Sequence, residues 1–357
     1  MKQTVIVPTL DTPVPPGKNV IWCSSFQVAW DHLKADVIKA PVKVANAEEV
    51  ADKLNRAPES ESDLPEGFYY ATAGLVRDDI VGTIQREMAR RFPGKEMPSF
   101  EDVTPESIIA YAYLTAGVKF SIAFFDSNEP LSFQDSTGGK GSVSAFGIRP
   151  EDEYAYSRLR EQVEVLYAEE ARTREEHQRN QESRSGLPAP LEFALDLCKG
   201  SSPVQIVLAK VAAKDSLTEA LADLQKKIRE WSPATPEYER VFQVSDVLLV
   251  PNVFYRVRHR FSDLEGPGKV LLNPGFSKYW VEEALQSVEF KLDRSGAEVA
   301  SQAGAVVRLL ARYFVFDRPF LIVLRKRGAE HPFFVMWVDN AELLCNWQGP
   351  PGGVVGQ

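Results

Sequence analysis

Residues 288–320, VEFKLDRSGAEVASQAGAVVRLLARYFVFDRPF, decide how this chain folds. Counted alternately from Ala297, one set is Ala297, Val299, Ser301, Ala303, Ala305 and Val307, and the other is Glu298, Ala300, Gln302, Gly304, Val306 and Arg308. A small, mostly apolar set alternating with a mixed one has the period of a strand with one face buried. Small side chains also suit a strand that slips between two others without displacing side chains already close-packed there. The same residues support a helix. Val299, Ala303, Val306, Val307 and Leu310 fall at i, i+4, i+7, i+8 and i+11, and Ala, Gln, Leu and Arg are good helix formers. Periodicity alone does not separate the two. A segment compatible with loop, helix and strand is a candidate metastable element.

Strands dominate on either side. RPFLIVLR and FFVMWVD follow the segment; SVEFKLDR, DVLLVPNVFYRVRHRF, PVQIVLAKV and LEFALDL precede it. Among them SLTEALADLQKKIREW (216–231) predicts a helix. Ser216 caps it, Glu219 completes a capping box, and Leu217, Leu221, Leu224 and Ile228 form its apolar stripe. Nearer the N-terminus, GFYYATAGLV (67–76) predicts a strand. Asp78 and Asp79 open a helix running to about Arg91, with Ile80, Ile84 and Met88 as its stripe, and PGKEMPSFEDVTPE breaks it. SIIAYAYLTAGVKF (107–120), apolar on both faces, predicts a central strand of a large sheet. NVIWCSSFQVAWDHL (19–33) predicts a short buried strand feeding a helix that buries one face and is capped by Ser24 or Ser25. Residues 1–18 are a Pro-rich surface segment, 54–66 a loop, and 151–190 a charged insertion, with Glu and Arg three and four apart as on a solvated helix or a mobile segment. Strands with interspersed helices, many joined without one, give an α+β class.

A chain of 357 residues with 44% hydrophobic and 25% charged side chains has the balance of a globular protein of one large or two ordinary domains. It contains no apolar run long enough to span a bilayer, and its first residues lack a secretory pattern. The expectation is a cytoplasmic protein away from membranes, with export by another route left open. A net charge of −9 argues against a nucleic-acid partner. Three scattered cysteines and four scattered histidines (His32, His177, His259, His331) form no disulfide framework, metal site or cofactor motif. No serine sits in a nucleophile elbow, and STGGKGS (136–142) lacks the spacing of a phosphate loop. Asp78–Asp79 and Glu282–Glu283 are adjacent carboxylates, which do not share a face on a helix. The sequence therefore advertises no enzyme. Arg256, Arg258 and Arg260 alternate along a predicted strand, either as a basic stripe for an acidic partner or as a solvated face paired with acidic neighbours.

The segments SVEFKLDRSGAEVASQA and FVFDRPFLIVLRKRGAEHPFFVMWVDNAELL resemble the hinge and the C-terminal hairpin of serpins, the serine protease inhibitors. DVLLVPNVFYRVRHRFSDLEG, PVQIVLAKVAAKDSLTEALADLQKKIREW, IIAYAYLTAGVKFSIAFFD and NVIWCSSFQVAWDHL are similar to further serpin segments, in order along most of the chain. The resemblance is to a divergent, prokaryote-like member lacking some N-terminal helices. It implies a single serpin-like α+β domain over 1–357, with a large mostly antiparallel sheet, further sheets and packed helices.

By that resemblance the protein is a monomeric suicide substrate, without a cofactor, for a serine-type target protease. A reactive-centre loop at about 297–316 is cleaved and then inserts into the main sheet from a metastable native state. Gly296 is the implied hinge glycine, with Ala297, Val299, Ser301, Ala303 and Ala305 following it into the sheet. The scissile bond follows Leu310 counting forward from Gly296, or Arg308 counting back from Phe320. Arg308 suits a protease with an acidic pocket, Leu310 one with an apolar pocket. Departures from the family pattern are Arg294 in place of an acidic residue, Val299 and Gln302 in place of small ones, and Ser24-Ser25 in place of Ser-Pro. The helix that covers the front of the main sheet is also missing between Arg91 and Ile108. The alternative is a non-inhibitory serpin-fold binding or structural protein.

Overall fold

The unbroken apolar runs near the C-terminus fold into the middle of the largest sheet. β16 (Phe320–Lys326) and β17 (Phe334–Val338) pair antiparallel, from Phe320 opposite Val338 to Leu324 opposite Phe334. The computed structural model that shows this describes residues 1–117, 119–149, 157–169, 192–200, 203–295 and 312–349. Beside β17 lies β2 (Asn19–Cys23), and β1 (Thr4–Ile6) runs parallel to it at the edge. Beside β16 lie β11 (Val204–Lys210), β10 (Phe193–Asp196) and β9 (Glu164–Ala168), all antiparallel. One face packs into the main core. The other, through Trp22, Val207, Leu321 and Trp337, meets Leu217, Leu221 and Leu224 of the Leu217–Ala234 helix. Burial on both faces is why these strands carry no polar alternation. The helix begins where expected, with the Ser216 hydroxyl accepting the Glu219 amide at 3.2 Å.

A second sheet runs β13 (Val253–Arg260), β14 (Val281–Leu292), β4 (Ile108–Gly117), β3 (Tyr69–Leu75). The long run DVLLVPNVFYRVRHRF thus breaks at Asn252. Its first part is β12 (Val247–Pro251) of a third sheet, with β15 (Tyr313–Val315), β8 (Ala145–Ile148) and β5 (Phe125–Asp126). β6 (Leu131–Gln134) and β7 (Lys140–Val143) form a ribbon whose turn holds the STGG of STGGKGS, the KGS being the start of β7. There Asp135 accepts the Thr137 and Gly139 amides, so the glycines serve a turn.

β4 shows how the second sheet is layered. Ile108, Ala110, Ala112, Leu114 and Ala116 enter the main core, while Ile109, Tyr111 and Tyr113 point to the outer face. The inner face closes on the seven-stranded sheet, where Phe290 stacks on Phe334 with centroids 4.7 Å apart. Helix α1 (Ser24–His32) fills the same layer. It was expected to bury one face, but Ser24 through Trp30 are buried all round, because α1 lies against β3 and β4 and also packs on α2 (Glu48–Arg56). Gln27 and Trp30 reach that neighbour, donating to the Leu54 carbonyl and to Asn55. Neither expected serine caps α1: Cys23 holds the N-cap position.

The outer face of the second sheet is covered after all. No helix lies within 92–107, as expected, but α3 (Ile80–Arg91) lays Ile84 and Met88, with Ile80, onto Tyr70, Ile109, Tyr111, Tyr113 and Leu285. Burying those three side chains is worth roughly 1.5–3 kcal/mol each. The cover comes from the stripe read in the sequence, placed earlier in the chain than the resemblance implied.

Candidate functional site

The second sheet, β13-β14-β4-β3, contains one parallel pair. β13 is antiparallel to β14, and β3 is antiparallel to β4, but β14 and β4 run parallel from Val281 opposite Ile108 to Lys291 opposite Gly117. Parallel pairing is slightly less stable per residue than antiparallel. A chain leaving the end of β14 and doubling back between the two strands is antiparallel to both. It replaces one parallel junction by two antiparallel ones.

The chain after β14 is pinned. The Phe120 amide donates to the Ser295 carbonyl (2.9 Å), and the Phe124 amide to the Arg294 carbonyl (3.0 Å). Arg294 Nε lies 3.0 Å from Asp126 Oδ2, and Asp293 accepts the Ser295 amide. Phe120 and Phe124 are buried edge-to-face at 4.7 Å, over Phe146. The position where the family pattern carries an acid thus holds a cation that ties the chain to β5. At the far end of the segment, Arg312 is clamped by Asp246. Nη2 lies 2.6 Å from Oδ2 and Nε 3.1 Å from Oδ1, and the guanidinium also donates to the Glu239 and Val241 carbonyls. Arg312, read in the sequence as part of the exposed loop, is an anchor. Asp246 was missed: it lies 66 positions away and no local pattern marks it.

Between these ends lie Gly296, Ala297, Val299, Ser301, Ala303, Ala305, Arg308 and Leu310, the expected hinge and cleavage residues. All fall outside the described residues.

The inner side of the junction carries polar groups that are incompletely paired. Gln286 of β14 is fully buried; its amide donates to Ser25 Oγ (3.1 Å) and to the Cys23 carbonyl (3.3 Å). Its Oε1 and the Tyr255 hydroxyl find no hydrogen-bond partner among the described residues. Burial pushes the Cys23 thiol and the Tyr255 phenol well above their ordinary values. Ser25 therefore belongs to the floor of this junction, Ser24 donates to the Phe333 carbonyl, and neither is a helix cap.

On the outer face Arg256, Arg258 and Arg260 do alternate on one side of β13, each with an acidic neighbour. Arg256 meets Glu289 at 3.2 Å and Arg260 meets Glu265 at 2.8 Å; Arg258 and Arg260 stand 3.8 and 3.9 Å from Glu283. The two β14 carboxylates differ. Burial pushes Glu283 up, and the two arginines only partly offset it. Burial also pushes Glu289 up, but its hydrogen bonds to Lys95 and Arg256 together outweigh this and leave it below its ordinary value.

No family model matches the sequence, and no curated protein is similar to it. Solved structures do match. Native protease nexin-1 with heparin shares 9% identity over 90% of this chain and 92% of its own, with a TM-score of 0.52. Mouse protein-Z dependent protease inhibitor shares 13% over 90% and 91%, with a TM-score of 0.54. At such identity it is the fold that is shared, and with nearly the whole of each chain aligned, this protein has the serpin fold.

Proposed function

We propose that the chain inhibits a serine-type protease as a suicide substrate, and that the parallel β4–β14 junction receives the cleaved segment. The observation that carries this is the junction itself, which ends at Gly117 and Lys291, next to where the chain leaves β14 for residue 296. In this reading the protease serine attacks the carbonyl of Arg308 or Leu310, forming an acyl-enzyme and freeing the amine of the next residue. The acylated part, starting at Gly296, folds back antiparallel between β4 and β14. Ala297, Val299, Ser301, Ala303 and Ala305 then face the core, and the protease is carried along. Arg312 stays behind on Asp246. The unpaired Oε1 of Gln286, opposite Ala112 of β4, supports the reading, since an under-satisfied floor weakens the closed junction. The protein-Z dependent protease inhibitor, whose fold this chain shares, supports it as well.

A second reading is a serpin-fold binding protein whose sheet stays closed. It is favoured by α3, whose apolar stripe shares one buried cluster with Ile109, Tyr111 and Tyr113 of β4 and Leu285 of β14, a cluster that opens if the two strands part. Incubation with trypsin and with an elastase-like protease, followed by denaturing electrophoresis and a melting scan, separates the two. A denaturant-stable adduct with cleavage after Arg308 or Leu310, and a large rise in Tm, is the expected result. Plain cleavage with an unchanged melt sinks inhibition and leaves the binding protein.

A further inference from the structure

One cavity lies away from the β4–β14 junction and shares no residue with it. It holds about 510 Å³ between the 8–11 segment, β2, α1, α2, the 57–59 loop and the start of the Leu217–Ala234 helix. That volume is within the range of small-molecule sites. Its wall combines apolar surface, including Trp22 and Pro58, with an excess of carboxylates.

The ion pairs around it are accounted for. Lys53 lies 2.9 Å from Glu49 and 3.3 Å from Asp11, and Arg56 lies 3.2 Å from Asp52. Glu59 is the exception. It lines the cavity, is only 8% exposed, and among the described residues forms no ion pair with a lysine or arginine and no hydrogen bond to another side chain, its own amide and the more distant His331 being its favourable neighbours. Four lining carboxylates face two lining cations, and the least exposed of the four is the one that neither cation pairs. A buried carboxylate left so is costly unless something charged or hydrogen-bonding arrives.

We propose that this cavity binds a small organic cation, an amine carried on an apolar or aromatic body, with the ammonium on Glu59 and the body against Trp22. A protonated amine supplies a counter-charge that no lysine or arginine gives Glu59, and the apolar part covers the apolar wall at Trp22 and Pro58. The ionisation of Glu59 agrees: burial dominates and pushes the carboxyl up, against smaller pulls from its own amide and from His331, with Asp63 and Asp11 adding to the rise.

The test uses the full chain and three probes of one shape, 2-phenylethylamine, 2-phenylethanol and 3-phenylpropionate, followed by calorimetry and ligand-observed NMR. The amine is expected to bind about tenfold or more tighter than the alcohol, the usual margin of a charge-assisted hydrogen bond, and the acid not at all. Glu59→Gln is expected to bring the amine to the level of the alcohol while Tm stays or rises. Thr218→Trp, at an exposed position on the rim, is expected to block both. Equal binding of amine and alcohol overturns the proposal. So does undiminished binding to Glu59→Gln, or no detectable amine binding at about millimolar concentration. None of these outcomes bears on protease inhibition.

Discussion

Arg312 and Asp246 form a two-pronged ion pair in which the aspartate side chain is fully buried and the arginine 18% exposed. It fixes the first described residue after the 296–311 segment to the start of β12, and so sets where β15 begins. Arg312→Ala leaves a buried carboxylate without its partner and is expected to destabilise the protein by about 3–5 kcal/mol. Arg312→Lys should recover only part of this, because a lysine cannot reproduce the planar fork. Denaturant melts of the two variants check both statements.

The proposed insertion tolerates small and apolar residues on the core-facing set but not a charge. Ala303→Arg places a charge there and is expected to leave cleavage by the protease intact while abolishing both the stable adduct and the gain in Tm. An adduct formed by Ala303→Arg as efficiently as by the unchanged chain rules out insertion along that face.

The two glutamates of β14 predict opposite pH behaviour. Glu283 titrates above its ordinary value in the fold, so its contribution is present when protonated and is lost as pH rises through the folded pKa. Glu283→Gln should therefore raise Tm at neutral pH, with the gain fading in acid. Glu289 titrates below its ordinary value, so its contribution is present above the unfolded pKa and disappears as pH falls through the folded one. Glu289→Gln should lower Tm at neutral pH and do nothing in acid. Melting scans across pH 3–8 decide both, and equal signs for the two variants contradict the assignment.

Cys23 and Cys198 are buried, and Cys345 is partly exposed. Burial raises all three thiols, Cys23 and Cys198 the most, the latter to about 12. In the native protein a thiol reagent should modify Cys345 first and the other two only through opening of the structure. Cys345→Ser should remove the fast phase, and a fast phase that survives it and is lost with Cys23→Ser shows that the floor beneath β14 is open.

Elements with a single clear period were legible in the sequence. The Ile80, Ile84, Met88 stripe is the buried face of α3, and the run from Ile108 is the interior strand β4. The helix α2 was not read, since only Ala51 and Leu54 of its nine residues are buried and its charged face looks like a loop. What α3 covers could not be read either: a stripe tells that a face is buried, not which sheet buries it. The anchors fared worst. Asp246 with Arg312, and Asp126 with Arg294, join residues far apart in the chain, and only the tertiary fold gives such a pair its meaning. The alternating residues that suggested the function lie between those anchors and outside the described structure, so the sequence remains their sole witness.

β2 sits between β1 and β17, and this has a consequence for the order of events at synthesis. Cys23 pairs with Phe334, so 311 residues must be added after Cys23 before the first of these ladder contacts can form. At about 5–20 residues per second this is on the order of 15–60 s. Throughout that time β2 and α1 have only a partial sheet to join, and the β4–β14 junction lacks the sheet on which its inner face packs. The last strands made are those that close the core, so the folded state is reached late and by long-range pairing, the slow kind. A chain assembled in that sequence can settle in the first closed arrangement it meets, with a more extensively paired sheet still out of reach.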